Sequence, residues 1–162
     1  MILMGQDTEM LEDREHGIYT GFTPEKWLVG LDLQNPEVRE GLRLALDFFN
    51  QMNVTAENNG IRFLVVIIPT KESVFGDFIE GNDSLASSRE IDRLIENERL
   101  VDSIVKSYFE ELGIPYLDVS GPLKNAAGSE QIYPNNYSGH PNKHGNRIIA
   151  DSIKQYLDAN HH

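Results

Sequence analysis

The loop from 133 to 146 reads Tyr133-Pro134-Asn135-Asn136-Tyr137-Ser138-Gly139-His140-Pro141-Asn142-Lys143-His144-Gly145-Asn146, and it holds the side chains best suited to chemistry. His140 stands just before a proline that can open a helix. A helix N-terminus would then hold its backbone and let the imidazole be aimed into a cleft. An imidazole titrates near neutrality and can take a proton from a serine hydroxyl. In such sites a carboxylate usually orients the ring and stabilises its charged form. Here the neighbours are Ser138 and Tyr137, and a hydroxyl can hold an imidazole but supplies no negative charge. Spacing alone favours a surface or helix-capping histidine. Tyr137 and Asn142, with Tyr133 and Asn135-Asn136, could line a sugar-binding cleft or serve as loop packing. Lys71-Glu72 offers a second polar pair at a strand end, either for a polar or anionic substrate group or as a solvated ion pair. His140 and His144 are four apart, but no third ligand has zinc-site spacing, so neither a metal nor a cofactor is expected.

These residues need a scaffold. Phe63-Leu64-Val65-Val66-Ile67-Ile68, bounded by Asn59-Gly60 and Pro69, predicts a fully buried strand over 61–69 in a parallel sheet. Ile114 to Val119 predicts a second strand. Between them, Ser88 to Leu112 carries a helical apolar stripe that Gly113 terminates, making a right-handed βαβ crossover. Val38, Leu42, Leu46, Phe49 and Met52 predict a helix over 36–56 with Asn35 as its N-cap. Pro141 opens a last helix with Ile148, Ile149, Ile153, Tyr156 and Leu157 inward. Residues 1–16 read as a polar arm, mobile or docked. Residues 17–33 read as extended and partly strand-like, 70–87 as a loop, and 120–140 as a loop with a short helix near 122–127. Residues 17–160 then make one α/β domain. Its ligand groups belong on loops beyond the C-terminal strand ends, after Pro69 and around His140. Two strands leave exposed sheet edges, so a homodimer or a strand from residues 17–33 is expected to cover one.

Bulk properties narrow the function. The chain has 162 residues with 40% hydrophobic and 25% charged, ordinary for a soluble globular domain. Acidic side chains number 26 against 14 basic ones, a formal charge of −12. Such a surface repels phosphate backbones and anionic membranes, which disfavours nucleic acid and membrane partners. There is no cysteine, so disulfides and thiolate catalysis are excluded. No apolar run reaches the ~20 residues of a membrane span. The acidic start of the chain is not a signal peptide, and the compartment stays open. A phospho-receiver domain shares this layering but needs an aspartate ending a central strand, where Ile68-Pro69-Thr70 stands.

The run Gly139-His140-Pro141-Asn142-x-x-Gly145, followed by Ile148-Ile149-Ala150, resembles the last motif block of SGNH (GDSL-like) hydrolases. Leu31-Asp32-Leu33, Glu40-Gly41-Leu42-Arg43 and Phe63 through Glu72 also look like bacterial SGNH-hydrolase-like proteins of the alginate and cell-wall acyl-transfer branch. The resemblance spans about residues 30–158. It implies a flavodoxin-like three-layer α/β/α fold in truncated form, with His140 as general base and Ser138 as its weak orienter. Lys71, Glu72, Tyr137 and Asn142 would be substrate contacts, and the substrate a small-molecule or carbohydrate ester. Relatives of this kind are often extracytoplasmic.

The departures matter as much. No Gly-Asp-Ser block precedes the helix at 36–56, and Gly76-Asp77-Phe78 has phenylalanine in the serine's place after the wrong strand. Gly81-Asn82-Asp83 mimics the oxyanion-hole block but falls in the wrong loop. The triad acid is absent, a change that typically costs ~10⁴ in turnover. Two readings follow: the C-terminal portion of an SGNH-like esterase or acyltransferase, inactive alone, or a non-catalytic binding or assembly module on a degenerate fold of that type.

Overall fold

A computed structural model describes residues 9–15, 17–81 and 88–160. Leu11 lies in the segment read as a polar arm, yet it is fully buried. It sits on strand β1 (Glu9–Asp13), which pairs antiparallel with β2 (Ile18–Phe22), Leu11 facing Thr20. Ile18, Thr20 and Phe22 alternate inward along β2, the two-residue period of a strand with one buried face. One apolar side chain in an acidic stretch was too little periodicity to predict a strand.

The remainder of 17–33 corrects the extended reading. Pro24 starts helix α1 (Pro24–Leu31), where a fixed φ and a missing N–H cost nothing in the first turn. Trp27 therefore lies on a helix. Helix α2 (Pro36–Asn58) begins as expected, with Asn35 Oδ1 accepting from the Glu37 N–H at 2.9 Å.

Strand β3 (Val65–Ile67) is shorter than its apolar run. The stretch read as a loop after it holds two short helices, α3 (Lys71–Val74) and α4 (Gly76–Glu80). Helix α5 (Arg89–Leu112) starts at Ser88, whose hydroxyl accepts from the Ile91 N–H, and stops at Gly113 in the left-handed conformation, φ 66°. Strand β4 (Tyr116–Asp118) then pairs parallel to β3, Val65 opposite Tyr116. Helices α6 (Ser120–Ala127) and α7 (Lys143–Ala159) complete the chain.

Helices cover both faces of the parallel sheet. Val65 and Ile67 join Leu46 of α2 and Phe109 of α5 in one apolar cluster. Val66 faces the other way, into a cluster that runs from Leu11 through Phe75 and Leu123 to Ile149. The architecture is thus mixed α/β with a small parallel sheet. Full burial of the first strand does not hold: β3 is half-buried along its length and Ile68 is 50% exposed. The reason is topological. The β1–β2 hairpin forms its own two-stranded sheet, so among the described residues nothing pairs with the outer edge of β3. No helix among those residues is long and apolar enough to cross a membrane.

Truncating Leu11 to Ala should cost about 2–5 kcal/mol in chemical denaturation, the range for a buried leucine. A segment loosely attached to the domain would show no loss.

Candidate functional site

At the C-terminal end of β3 a cleft of about 340 Å³ opens, with Trp27, Ile68, Pro69, Thr70, His140 and Ile149 among its walls. This is where an open α/β sheet collects ligand groups. His140 is exposed at the mouth. Among the described residues its imidazole has no hydrogen-bond or ion-pair partner. The Ser138 hydroxyl does not orient the ring; it accepts from the His140 backbone N–H at 3.3 Å. Of the six residues singled out from the sequence, only His140 lines the cleft.

The others hold the loop that carries it. Lys71 is 1% exposed and Glu72 is fully buried, so the solvated ion-pair reading is corrected. The Lys71 ammonium donates to Ser138 O at 2.9 Å, Asn136 O at 3.1 Å and Thr20 Oγ1 at 3.1 Å. It also sits 5.7 Å from the centre of the Phe22 ring, within cation–π range. Strand β2 grips the same loop, with the Gly21 N–H bonded to Asn136 O and Thr20 Oγ1 to Pro134 O. Tyr137 packs its ring against Gly21, where a Cβ would clash with it, rather than facing the cleft. Asn142 caps α7: its Oδ1 accepts from the His144 and Gly145 N–H groups, and its Nδ2 donates to Gln131 O.

The glycines of the motif have equally mechanical reasons. A Cβ on Gly139 would stand 2.5 Å from the Trp27 indole, and one on Gly145 would stand 2.6 Å from Ile132 O. Real Cβ contacts are not that short, so glycine lets the loop lie on the indole and the first turn of α7 lie on Ile132. Within the Gly-His-Pro-Asn-x-x-Gly run the two glycines and Asn142 have structural tasks, and the His140 imidazole has no hydrogen-bond or ion-pair partner among the described residues.

Glu72 accepts from the Thr23 N–H at 3.1 Å through Oε1, while its buried Oε2 has no partner. Burial raises its pKa above the ordinary 4.5, against the opposing effect of the Thr23 N–H and of Lys71. Burial lowers Lys71 to about 8, with Glu72 pulling the other way. The buried Tyr133 phenol is pushed up by desolvation and by the two nearby carboxylates, Glu72 and Glu98.

A second hollow of about 150 Å³ lies on the other side of Pro69 and contains Ser73, Glu98 and Asp118. Its carboxylates are occupied. Glu98 accepts from the Thr70 N–H at 2.7 Å, from Thr70 Oγ1 and from Ser73 Oγ, tying down the start of α3. Asp118 and Asp102 share the Lys106 ammonium. No serine or carboxylate therefore reaches the His140 imidazole among the described residues. Of the two look-alike blocks, Gly76 and Asp77 open α4, and Phe78 packs against the core. Asn82 and Asp83 lie outside the described residues. His144 pairs with Glu130 at 3.4 Å, and no group of three or more His, Cys, Asp or Glu among the described residues is placed to hold a metal ion.

Sequence reasoning missed Trp27 as a cleft wall, because its stretch read as extended. Asn146 and Thr70 also line the cleft, and both belonged to loops already picked out by their position after strands. No family model matches the chain, and neither a curated protein nor a solved structure matches it.

Two outcomes follow from the buried pair. Lys71→Met removes a donor that three oxygens share and should cost about 2–3 kcal/mol in urea unfolding, with faster amide exchange across 136–140. For Glu72, the folded state keeps a proton that the unfolded chain releases above pH 4.5. Stability therefore falls as pH rises from there to the raised folded pKa, and the full penalty stands above it. Glu72→Gln cannot ionise, so its unfolding free energy should lose that decline and exceed the parent's at neutral pH. An unchanged pH profile would count against a buried, neutral-favouring carboxyl.

Proposed function

We propose that this chain carries the histidine-bearing part of an SGNH-like ester-processing site, on a truncated flavodoxin-like three-layer fold. The substrate class is an O-acyl ester of a small molecule or carbohydrate. His140 acts as general base: it takes the proton of an attacking hydroxyl as the bond to the acyl carbon forms, then returns it to the leaving oxygen. The cleft at its side receives the acyl group against Trp27, Ile68 and Ile149. One observation carries this reading: within the motif run Asn142 is explained by capping and Gly139 and Gly145 by close packing, whereas the His140 imidazole has no partner among the described residues and lies at the cleft. The attacking hydroxyl and the acid that would orient the ring come from outside the cleft described above, so the chain binds esters without turning them over.

A non-catalytic binding module on the same fold is the second reading. The lack of any hydrogen-bond partner for the His140 imidazole among the described residues favours it, because a catalytic base is ordinarily oriented by a second group.

The protein has a single tryptophan, and it lines the cleft. Titration with an O-acetylated monosaccharide should change Trp27 fluorescence saturably, while p-nitrophenyl acetate is hydrolysed no faster than in buffer with the same free imidazole. Absence of any saturable change at about 10 mM would exclude even weak binding of this class. Turnover by the chain, abolished in His140→Ala, would instead show a complete site.

A further inference from the structure

No aspartate, glutamate, lysine or arginine lines the cleft beside His140. An anionic ligand seated there would lose water around its charge with no lysine or arginine to replace it, in a protein that already bears −12. A cationic ligand would find no carboxylate. The cleft therefore suits an uncharged molecule, and its polar side chains decide which kind.

Two of these are engaged or hidden. The Thr70 hydroxyl donates to Glu98 and accepts from the Ser73 N–H at 3.3 Å. The Trp27 indole nitrogen is buried, out of a ligand's direct reach. Asn146 differs from both. It is exposed in the first turn of α7, one turn on from the cap Asn142. Its Nδ2 donates to Pro141 O at 3.1 Å. A backbone carbonyl can only accept, so this bond fixes which end of the amide is which. The nitrogen is held to Pro141, and Oδ1 is the end left over. That oxygen takes no hydrogen bond from the described residues. It can accept a proton donor and has none to give. Asn146 Oδ1 and the His140 imidazole are thus the open polar side-chain groups of the cleft among the described residues.

We propose that Asn146 sets the ligand class of this cleft: its Oδ1 accepts a hydroxyl from the alcohol part of an uncharged ester, so sugar and polyol esters are held in preference to alkyl esters and acyl phosphates. The inference rests on the reading of the cleft as an ester site. Within that reading the ligand divides by chemistry. The acyl group lies against Trp27, Ile68 and Ile149, and the hydroxylated part donates to Asn146. An alkyl ester has no donor to offer, so the oxygen keeps its water and no protein–ligand bond is gained. A neutral hydrogen bond of this kind corresponds to about a 5-fold difference in affinity.

Trp27 fluorescence can read the binding of three probes that share an acetyl group: an O-acetylated glucose, ethyl acetate and acetyl phosphate. The parent should hold the sugar ester about 5-fold more tightly than ethyl acetate, with acetyl phosphate weakest. Asn146→Ala should abolish the preference for the sugar ester and leave the ethyl acetate affinity where it was. Asn146→Asp separates recognition from support, because it keeps an acceptor oxygen and loses the amide donor to Pro141. It should retain the preference for the sugar ester over ethyl acetate. A parent that binds ethyl acetate or acetyl phosphate as tightly as the sugar ester overturns the assignment. So does Asn146→Ala weakening the sugar ester and ethyl acetate alike, or Asn146→Asp behaving as Asn146→Ala. In each of those cases an ester still binds, and the reading of the cleft stands. No saturable change with any of the three probes overturns that reading and the role of Asn146 together.

Discussion

The candidate site depends on the buried ammonium of Lys71. A lysine removed from water loses its hydration and is tolerated only where oxygens replace it. Here the replacements come from two separate places: the hydroxyl of Thr20 on β2, and the carbonyls of Asn136 and Ser138 in the loop before α7. One charged group thus joins the N-terminal hairpin, the end of β3 and the loop that carries His140. Those three oxygens belong to residues 51 to 67 positions away in sequence. Exclusion of water from this place lowers the lysine pKa to about 8, with Glu72 opposing the shift.

The same arrangement explains why the hairpin forms a sheet of its own. Strand β2 spends its backbone and Thr20 on the loop, through Asn136 O and Pro134 O, and turns Ile18 and Phe22 into the larger core. It therefore clamps the loop rather than extending the parallel sheet. Among the described residues the outer edge of β3 is left unpaired.

Much of the architecture was legible from local signals. The helix cap at Asn35, the glycine stop at Gly113 and the strands at 65–67 and 116–118 lie where side-chain chemistry and periodicity place them. The hairpin, α1, α3 and α4 were not legible. Each strand or helix there spans eight residues or fewer, too short for its pattern to tell helix from extended chain; burial against distant residues stabilises it instead. Leu11 shows this directly, since it is a single buried apolar side chain in an acidic stretch.

His140 shows the same division within the site. The sequence alone determined that a histidine stands before a capped helix, after a parallel βαβ unit, with no acid at the positions before it. The tertiary structure alone decided which neighbours of that histidine are structural. Asn142 caps the N-terminus of α7, Ser138 Oγ accepts from the His140 backbone N–H, Lys71 is held by loop carbonyls, and Glu72 Oε1 accepts from the Thr23 N–H before α1. Hydrogen-bonding capacity is finite and distance-limited, so which groups are engaged and which stay free emerges only once the chain has folded.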